Sequence, residues 1–244
     1  MLSVCVPIYR RHGPPNVGTL GAALPAALGN EEGELVVALN GIGPSAAGVP
    51  RDARTTDLKV NLGVGPGWNA AARVARGDLL CFANDDCELG PGSLARLAAA
   101  LTTHPDAGVV GPVGTRWDLV EGRHLSQLDL SAREPGELSE CEVVSGFLFA
   151  CRREVWEAVG GFDEAYAPLS WEEVDFCTAV RTRLGLRCYA VAGVEVGHTW
   201  GVSRRQRPWA RARWNGRSES LWSIHRRNRR RFLRKWAGVA SPVA

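Results

Sequence analysis

The sequence predicts an α/β protein in which a mostly parallel central sheet is covered by helices on both faces. Short apolar runs of strand length alternate with longer runs of helical spacing over most of the 244 residues. This alternation is typical of parallel strands that are joined by helices. A composition with 45% apolar and 23% charged residues is that of a globular chain that can bury a large core.

The first half of the chain contains most of this alternation. Apolar runs bounded by polar or turn residues predict strands at 2–8, 34–40, 56–62, 78–84 and 107–113. Small and apolar residues at helical spacing predict helices at 16–28, 67–77 and 91–104. Pro25 interrupts the first of these helices, Gly77 closes the second, and Pro91 suits the first turn of the third.

The second half is less regular. The segment 114–141 is polar and lacks clear periodicity, which predicts loops. A strand that runs into a helix is expected over 142–160, and a further helix over 171–185 ends at Gly185. A strand at 186–193 and a largely helical, Arg- and Trp-rich remainder complete the prediction.

Charge is distributed unevenly along the chain. Of the 29 Lys and Arg residues, thirteen follow Gly201 and are accompanied by one acid, so the net charge of +3 conceals a basic extension on an acidic body. The segment 204–236 could bind an anionic membrane surface or nucleic acid, or could pack its Trp and Leu residues on the body. We rank the membrane above nucleic acid as its partner.

Cysteine usage and hydropathy indicate the compartment. The seven cysteines include no C-x-x-C pair, which is typical of buried thiols in a reducing cytosol. We expect neither a secretory signal nor a transmembrane span. The prediction is a cytoplasmic protein that can associate peripherally with the inner face of the membrane.

Polar residues follow three of the predicted strands. Asn84, Asp85 and Asp86 end the strand at 78–84, Pro7 to Tyr9 follow the first strand, and Asn40 closes the second. Ligands in open α/β sheets bind at the carboxyl ends of the strands. Two adjacent carboxylates repel each other unless a positive charge lies nearby. A polar turn is the alternative, but the convergence of three features favours a metal-dependent site.

Five motifs in order resemble family 2 glycosyltransferases of the nucleotide-sugar-dependent, inverting kind, nearest the rhamnosyltransferase-like branch. The five motifs are "VCVPIYRR", "NLGVGPGWNAAARVARGDLLCFANDDCEL", "PGSLARLAAALTTHPDAGVVGP", "SGFLFACRREVWEAVGGFDEAY" and "WEEVDFCTAVRTRLGLRCYAVAGVEVGHTWGVS". On these motifs the chain resembles the family, and the resemblance implies a Rossmann-like sheet of the GT-A type. It implies a transferase domain over 1–203, with a nucleotide-binding half at 1–113 and an acceptor half at 114–203. The residues 204–244 would form the basic extension.

The resemblance also implies a metal site. Asp86 matches the direct ligand and His198 the late histidine that completes the set, while Asp85 would contact the ribose or reach the ion through water. Asn84 stands where the family has the first acid of its D-x-D motif. Oxygen ligands suit Mg²⁺ or Mn²⁺, and the imidazole favours Mn²⁺.

The nucleotide pocket is implied by a second set of positions. Pro7 and Tyr9 would place backbone groups and a ring against the base, and Asn40 occupies the position of an Asp that contacts a pyrimidine in many relatives. Asn61 and Gly67, together with Asn84 and Asp85, would line the nucleotide-sugar pocket. For Gly67, a helix-start glycine without a ligand is an equal alternative.

The catalytic base is implied by "WEEVDF". The family's base is the second acid of its Glu-Asp pair, which matches Glu173, and Asp175 is the fallback. Acids at a helix start are also favoured by the helix dipole. Gly146, Trp171 and Glu172 would border the sugar and acceptor, although Trp171 could equally be an ordinary core aromatic.

The expected activity is transfer of a sugar from a UDP-, dTDP- or GDP-linked donor to an acceptor hydroxyl, with inversion and assisted by a divalent cation. The acceptor would be a glycan, a lipid-linked or a small molecule, in cell-surface polysaccharide or glycoconjugate biosynthesis. Two alternatives remain open. Asn84 and Glu173 depart from the family pattern, as in a non-catalytic sugar-nucleotide-binding or scaffold protein, and the basic extension could mark a nucleic-acid-binding module.

Overall fold

A computed structural model describes residues 1–9, 16–43, 48–198 and 210–238. Its centre is an eight-stranded sheet in the order β3-β2-β1-β4-β11-β6-β12-β9. These strands are β1 Leu2–Ile8, β2 Gly33–Leu39, β3 Arg54–Asp57, β4 Leu79–Ala83, β6 Ala107–Gly111, β9 Leu138–Cys141, β11 Leu148–Arg152 and β12 Arg187–Val191.

The central sheet is mostly parallel. The strands β1 to β4 pair in parallel, as do β6 and β12, whereas β11 and β9 are antiparallel to their neighbours. The inner strands are buried on both faces, so they consist of nearly continuous apolar residues. The predicted mostly parallel sheet is confirmed.

Helices cover both faces of this sheet. They are α1 Val17–Leu28, α2 Val64–Val74, α3 Ser93–Thr103, α4 Arg153–Val159, α5 Glu172–Leu184 and α6 Leu221–Lys235. On one face, Leu20 of α1 and Leu97 of α3 share an apolar cluster with Val6. On the other, Trp68 of α2 and Phe176 of α5 pack with Cys5, and Phe232 of α6 joins the same cluster.

Smaller sheets accompany the central sheet. They are formed by β5 Cys87–Leu89, β7 Gly114–Asp118, β8 Arg123–Gln127, β10 Val143–Val144, β13 Val196–His198, β14 Arg211–Trp214 and β15 Arg217–Ser220. The prediction of loops over 114–141 is therefore wrong, since β7, β8 and β9 lie there. All five residues of β8 are exposed, so this strand has no buried side to produce an apolar alternation.

Two predicted elements are displaced. The helix expected at 67–77 begins at Val64, because Gly65 and Pro66 lie in its first turn, where a backbone N–H group has no intrahelical acceptor and proline is tolerated. The strand expected at 56–62 occupies only Arg54–Asp57.

The C-terminal region is only partly helical. Within residues 210–238, the hairpin β14–β15 precedes α6, so the expectation of a largely helical remainder is met by Leu221–Lys235 and is wrong for the hairpin. The predicted domain boundary at 203, and the parts 204–209 and 239–244 of the basic extension, lie outside the described residues. Across the described ranges, no helix combines the length and the apolar character that crossing a membrane requires.

Candidate active site

The acidic tripeptide lies at the carboxyl end of β4. The Asn84 backbone N–H donates to the Phe147 carbonyl at 2.9 Å, and the chain turns through Asp85 and Asp86 into β5. Strand β13 pairs antiparallel with β5 and places His198 opposite Cys87. A residue 112 positions after Asp86 is thereby brought to the same sheet edge.

Asp86 and His198 form a close pair. The His198 Nε2 atom lies 3.4 Å from Asp86 Oδ1, and their side chains are 13% and 25% exposed. The imidazole stacks on the Phe147 ring at a centroid distance of 4.6 Å and an angle of 15°. Stacking fixes the plane of the imidazole, so its Nε2 is held toward the carboxylate.

This pair fits a divalent cation that also binds phosphate. One carboxylate oxygen and one imidazole nitrogen at 3.4 Å can share a single ion. No group of three or more His, Cys, Asp or Glu residues suited to metal binding occurs within the described part of the chain. Mg²⁺ in nucleotide enzymes is commonly held by one or two carboxylates and completed by substrate phosphates. The donor set therefore suits an ion that arrives with a diphosphate.

Residues 146 and 147 lie between the Asp86–His198 pair and the acidic start of α5. A Cβ atom on Gly146 would lie 3.1 Å from Glu173 Cγ, so glycine allows the Glu173 side chain to lie directly against the strand end. The next residue, Phe147, stacks on His198 and accepts the Asn84 N–H. The predicted base and the predicted metal residues therefore flank one dipeptide. Phe147 was missed by the sequence analysis, because an apolar residue before a strand gives no chemical signal.

The two glutamates at the start of α5 have perturbed acidity. Burial, and then the neighbouring charge of Glu173, raise the pKa of Glu172 to about 8. Burial also raises the pKa of Glu173, partly offset by the backbone N–H groups of Glu173 and Val174. Glu172 is buried, and its Oε2 has no hydrogen-bond partner among the described residues. Glu172 therefore holds a proton at neutral pH.

Glu172→Gln is expected to stabilise the protein increasingly as pH rises. In the unfolded chain the carboxyl ionises near its ordinary pKa of 4.5, but in the fold near 8, so the folded state retains a proton between these values. The wild type must therefore lose stability as pH rises through this range, whereas glutamine stays neutral. We expect the variant to gain about 4 kcal/mol relative to the wild type from pH 5 to pH 9 in urea unfolding, because each unit between the two pKa values corresponds to about 1.4 kcal/mol. A pH-independent difference would contradict the assignment; exposed Glu157→Gln is the control.

Asp175 is engaged in structural contacts. It is 3% exposed, and its carboxylate accepts from Tyr166 Oη at 3.0 Å, Trp236 Nε1 at 2.8 Å and Lys235 Nζ at 2.7 Å. Two of these donors belong to the C-terminal segment. The geometry therefore indicates that Asp175 anchors α6, and its predicted catalytic role as the fallback to Glu173 stays a prediction.

The predicted nucleotide residues organise the loop before α2. Asn40 is buried, donates from Nδ2 to the Gly63 carbonyl at 2.8 Å, and accepts from the Leu62 N–H at 2.7 Å. Asn61 accepts from the Gly63 N–H at 3.0 Å and donates to the Arg213 carbonyl at 3.0 Å, which ties the loop to β14. The two amides thus shape the loop, and their predicted contact with a base stays a prediction.

Three further predicted residues are placed as follows. A Cβ on Gly67 would lie 2.4 Å from the Pro7 Cβ, so glycine is needed for close packing of α2 on β1, as the ligand-free alternative requires. Tyr9 is 45% exposed at the end of β1. Trp171 is buried against Trp117, His225 and Phe232, with ring centroids 5.1–5.5 Å away, so it has a core role beside the acidic helix.

The segment before the glutamates is held by α6. Ser170 and Trp171 have φ angles of 79° and 83°, a conformation unfavourable for residues other than glycine. Asn228 is fully buried, and its Nδ2 donates to the carbonyls of Tyr166 at 2.6 Å, Leu169 at 3.1 Å and Ser170 at 2.8 Å. Strained backbone persists where surrounding contacts over-determine it. The C-terminal helix therefore positions the start of α5, a role that the basic composition of α6 concealed.

The chain is similar to known glycosyltransferases. Residues 47–160 match the family model described as glycosyl transferase family 2, which confirms the resemblance predicted from the motifs. No curated protein sequence matches the chain significantly.

Solved structures share the fold. The structure of GalNAc-T7 with UDP, GalNAc and Mn²⁺ has a TM-score of 0.72 at 15% identity, covering 98% of this chain and 48% of that one. TarS of S. aureus in complex with UDP gives 0.55 at 20% identity, covering 77% and 56%. The mannosyltransferase PcManGT from Pyrobaculum calidifontis in complex with GDP-Man and Mn²⁺ gives 0.53 at 20%, covering 77% and 53%. The chain thus spans about half the length of these proteins, and the GT-A fold is confirmed.

Proposed function

We propose that the chain, whose residues 47–160 match the model of family 2 glycosyltransferases, transfers a sugar from a nucleoside-diphosphate donor to an acceptor hydroxyl with inversion. The observation that supports this most directly is the dipeptide Gly146-Phe147, which contacts Glu173 on one side and His198 on the other. A base and a diphosphate-binding pair on either side of one strand end are what a direct displacement requires.

In this proposal Glu173 is the general base. Its carboxylate accepts the proton of the acceptor hydroxyl as the hydroxyl oxygen bonds to the anomeric carbon, and the bond from that carbon to the diphosphate breaks. The raised pKa of Glu173 makes it a stronger base than an exposed glutamate. A single displacement from the face opposite the leaving group inverts the anomeric carbon. Glu172, protonated at neutral pH, can donate a hydrogen bond to the acceptor or sugar.

Asp86 and His198 would hold Mn²⁺ or Mg²⁺ against the donor diphosphate. The cation, when bound, would neutralise the charge that develops on the departing diphosphate. Asp85 is proposed to contact the ribose, and Pro7, Tyr9, Asn40 and Asn61 to border the base. Because residue 84 is asparagine, Asp85 and Asp86 are the only acids of this tripeptide. This agrees with a site whose remaining metal ligands are phosphate oxygens. The solved structures with UDP or GDP-Man support UDP- and GDP-sugars as donor candidates. A dTDP-sugar stays a third candidate, from the sequence resemblance alone.

For the acceptor we propose a glycan or lipid-linked molecule in polysaccharide or glycoconjugate biosynthesis. The compartment proposed is the cytoplasm, because all seven cysteines are buried free thiols. Gly146 and Trp171 lie beside the glutamates and would border the acceptor.

The metal pair is tested by Asp86→Ala with a panel of UDP-, dTDP- and GDP-sugars. We expect at least one donor to be hydrolysed or transferred in the presence of Mn²⁺, chelation to abolish turnover, and the variant to lose about 100-fold or more in kcat/KM. The control is exposed Asp52→Ala.

Two outcomes would contradict the proposal. Asp86→Ala with wild-type turnover would remove the metal pair from the mechanism. Donor binding in a thermal-shift assay without turnover of any donor, over a range of acceptors, would favour a non-catalytic sugar-nucleotide-binding protein.

A further inference from the structure

Four side chains form one exposed row along α6. Trp222, Arg226, Arg230 and Arg234 follow one another at intervals of four residues, which places them on one helix face. Trp222 is 57% exposed, and the three arginines are exposed as well. The guanidinium of Arg226 lies 5.1 Å from the centre of the Trp222 ring. We call these residues the arginine row.

The remaining basic residues of α6 have partners on the body. Arg227 pairs with Glu219, Arg231 with Asp163 at 3.5 Å, and Lys235 with Asp175 at 2.7 Å. Arg229 donates to the carbonyls of Glu121 and Gly122. By contrast, none of the carboxylates in the described ranges forms an ion pair with the arginine row.

The arginine row costs stability in the isolated protein. Like charges four residues apart on a helix repel each other, and α6 contains no Asp or Glu to offset them. Exposed Trp222 also forgoes the free energy that burial of its ring would supply. The packing of α6 on the rest of the protein does not depend on the arginine row, since the buried residues of the helix are Ile224, Asn228 and Phe232. Both features are favourable only if an anionic partner with an apolar phase covers this face.

We propose that the arginine row binds an anionic phospholipid membrane. Arginines would contact lipid phosphates, and the Trp222 ring would lie at the boundary between headgroups and acyl chains, where tryptophan is favoured. Single-stranded nucleic acid fits less well, because its successive bases stack on several aromatic rings, whereas this row has one exposed ring.

Membrane binding by this face would also orient the active site. The inner face of the same helix holds residues 166–171, directly before Glu172 and Glu173. A lipid surface against the outer face would therefore lie about one helix diameter, roughly 10 Å, from the segment that precedes the glutamates. This orienting role rests on the proposed function, whereas the binding itself does not.

Vesicle flotation of the full chain tests the binding. Wild-type protein should float with phosphatidylcholine vesicles containing about one third phosphatidylglycerol at about 0.15 M salt, and not with pure phosphatidylcholine. The variant R226A/R230A/R234A should lose about 100-fold in partition coefficient, since each arginine near an anionic surface contributes roughly fivefold. Trp222→Ala should also weaken binding. The control R51A/R76A/R96A removes the same charge outside α6 and should bind like the wild type.

The other outcomes overturn the proposal. The arginine row is not a membrane site if the wild-type protein does not float with anionic vesicles. The same holds if R226A/R230A/R234A and the control R51A/R76A/R96A lower the partition coefficient equally. Binding of a single-stranded RNA that the row variant alone loses, without vesicle binding, would assign the row to nucleic acid. Circular dichroism and melting temperatures must show all variants folded. Donor hydrolysis in solution is measured in parallel, so failure of the transferase proposal is seen separately.

Discussion

Glu173→Gln is expected to lower kcat for sugar transfer by about 10²–10⁴-fold while the protein stays folded. Glutamine has nearly the same shape and fills the space beside Gly146, but it cannot accept the hydroxyl proton. Loss of a buried carboxyl with a raised pKa should not destabilise the fold. The measurement is steady-state transfer with saturating donor and acceptor, together with donor affinity by thermal shift, which should be unchanged.

The pH profile provides an independent check on the same residue. If Glu173 is the base, wild-type kcat should fall as pH decreases through its raised pKa, at higher pH than for an ordinary glutamate. Glu157→Gln, on the exposed side of α4, should leave both rate and profile unchanged. Transfer by Glu173→Gln within about threefold of wild type would exclude Glu173 as the base.

Asp175→Ala is expected to destabilise the protein by about 3–5 kcal/mol. The substitution leaves the buried Tyr166 hydroxyl and Trp236 indole without their acceptor and removes the carboxylate that holds Lys235. Lys235 is 25% exposed and retains Asp163 at 2.9 Å, so the loss comes mainly from the buried donors. Urea unfolding gives the free energy, and release of α6 should lower activity as well.

Asp175→Asn separates anchoring from catalysis. Asparagine keeps Oδ1 as the acceptor for the two ring donors, but it replaces the oxygen that accepts from Lys235 with an NH2 group, and Lys235 retains Asp163. We expect a cost of about 1–2 kcal/mol and near-normal kcat in the folded fraction. A folded Asp175→Asn variant that has lost transfer activity, beside an active Glu173→Gln variant, would show that Asp175 is the base after all.

The central sheet could be predicted because its signal is local. β1 was predicted with the bounds Leu2–Ile8 that it has, and β4 and β6 were each predicted within two residues. These strands are buried on both faces, so every residue had to be apolar. The exposed β8 and the three-residue strands β5 and β13 left no such pattern. Their existence depends on partners distant in sequence.

The candidate site was predictable in its residue types and less so in its contacts. Asp86, His198 and Glu173 were chosen because their motifs stand in a recognisable order, and they do flank the dipeptide 146–147. Asn40 was expected to contact a base; in the structure its amide binds the backbone of residues 62 and 63, and the contact with a base stays a prediction. An asparagine has the same donor and acceptor for either purpose, so the sequence could not distinguish them.

The sequence by itself determined the sheet, the helices that cover it, and the acids and histidine available for chemistry, because each depends on periodicity or residue type within a short segment. Only the tertiary structure decided which of the acids at the start of α5 has a structural partner. Asp175 accepts hydrogen bonds from Lys235 and Trp236, which are 60 and 61 residues away in sequence, whereas the Glu173 side chain lies against Gly146. It likewise divided α6 into an inner face that holds the active-site segment and an outer row of arginines. Basic residues lie on several sides of α6, and only packing shows which of them are paired with acids.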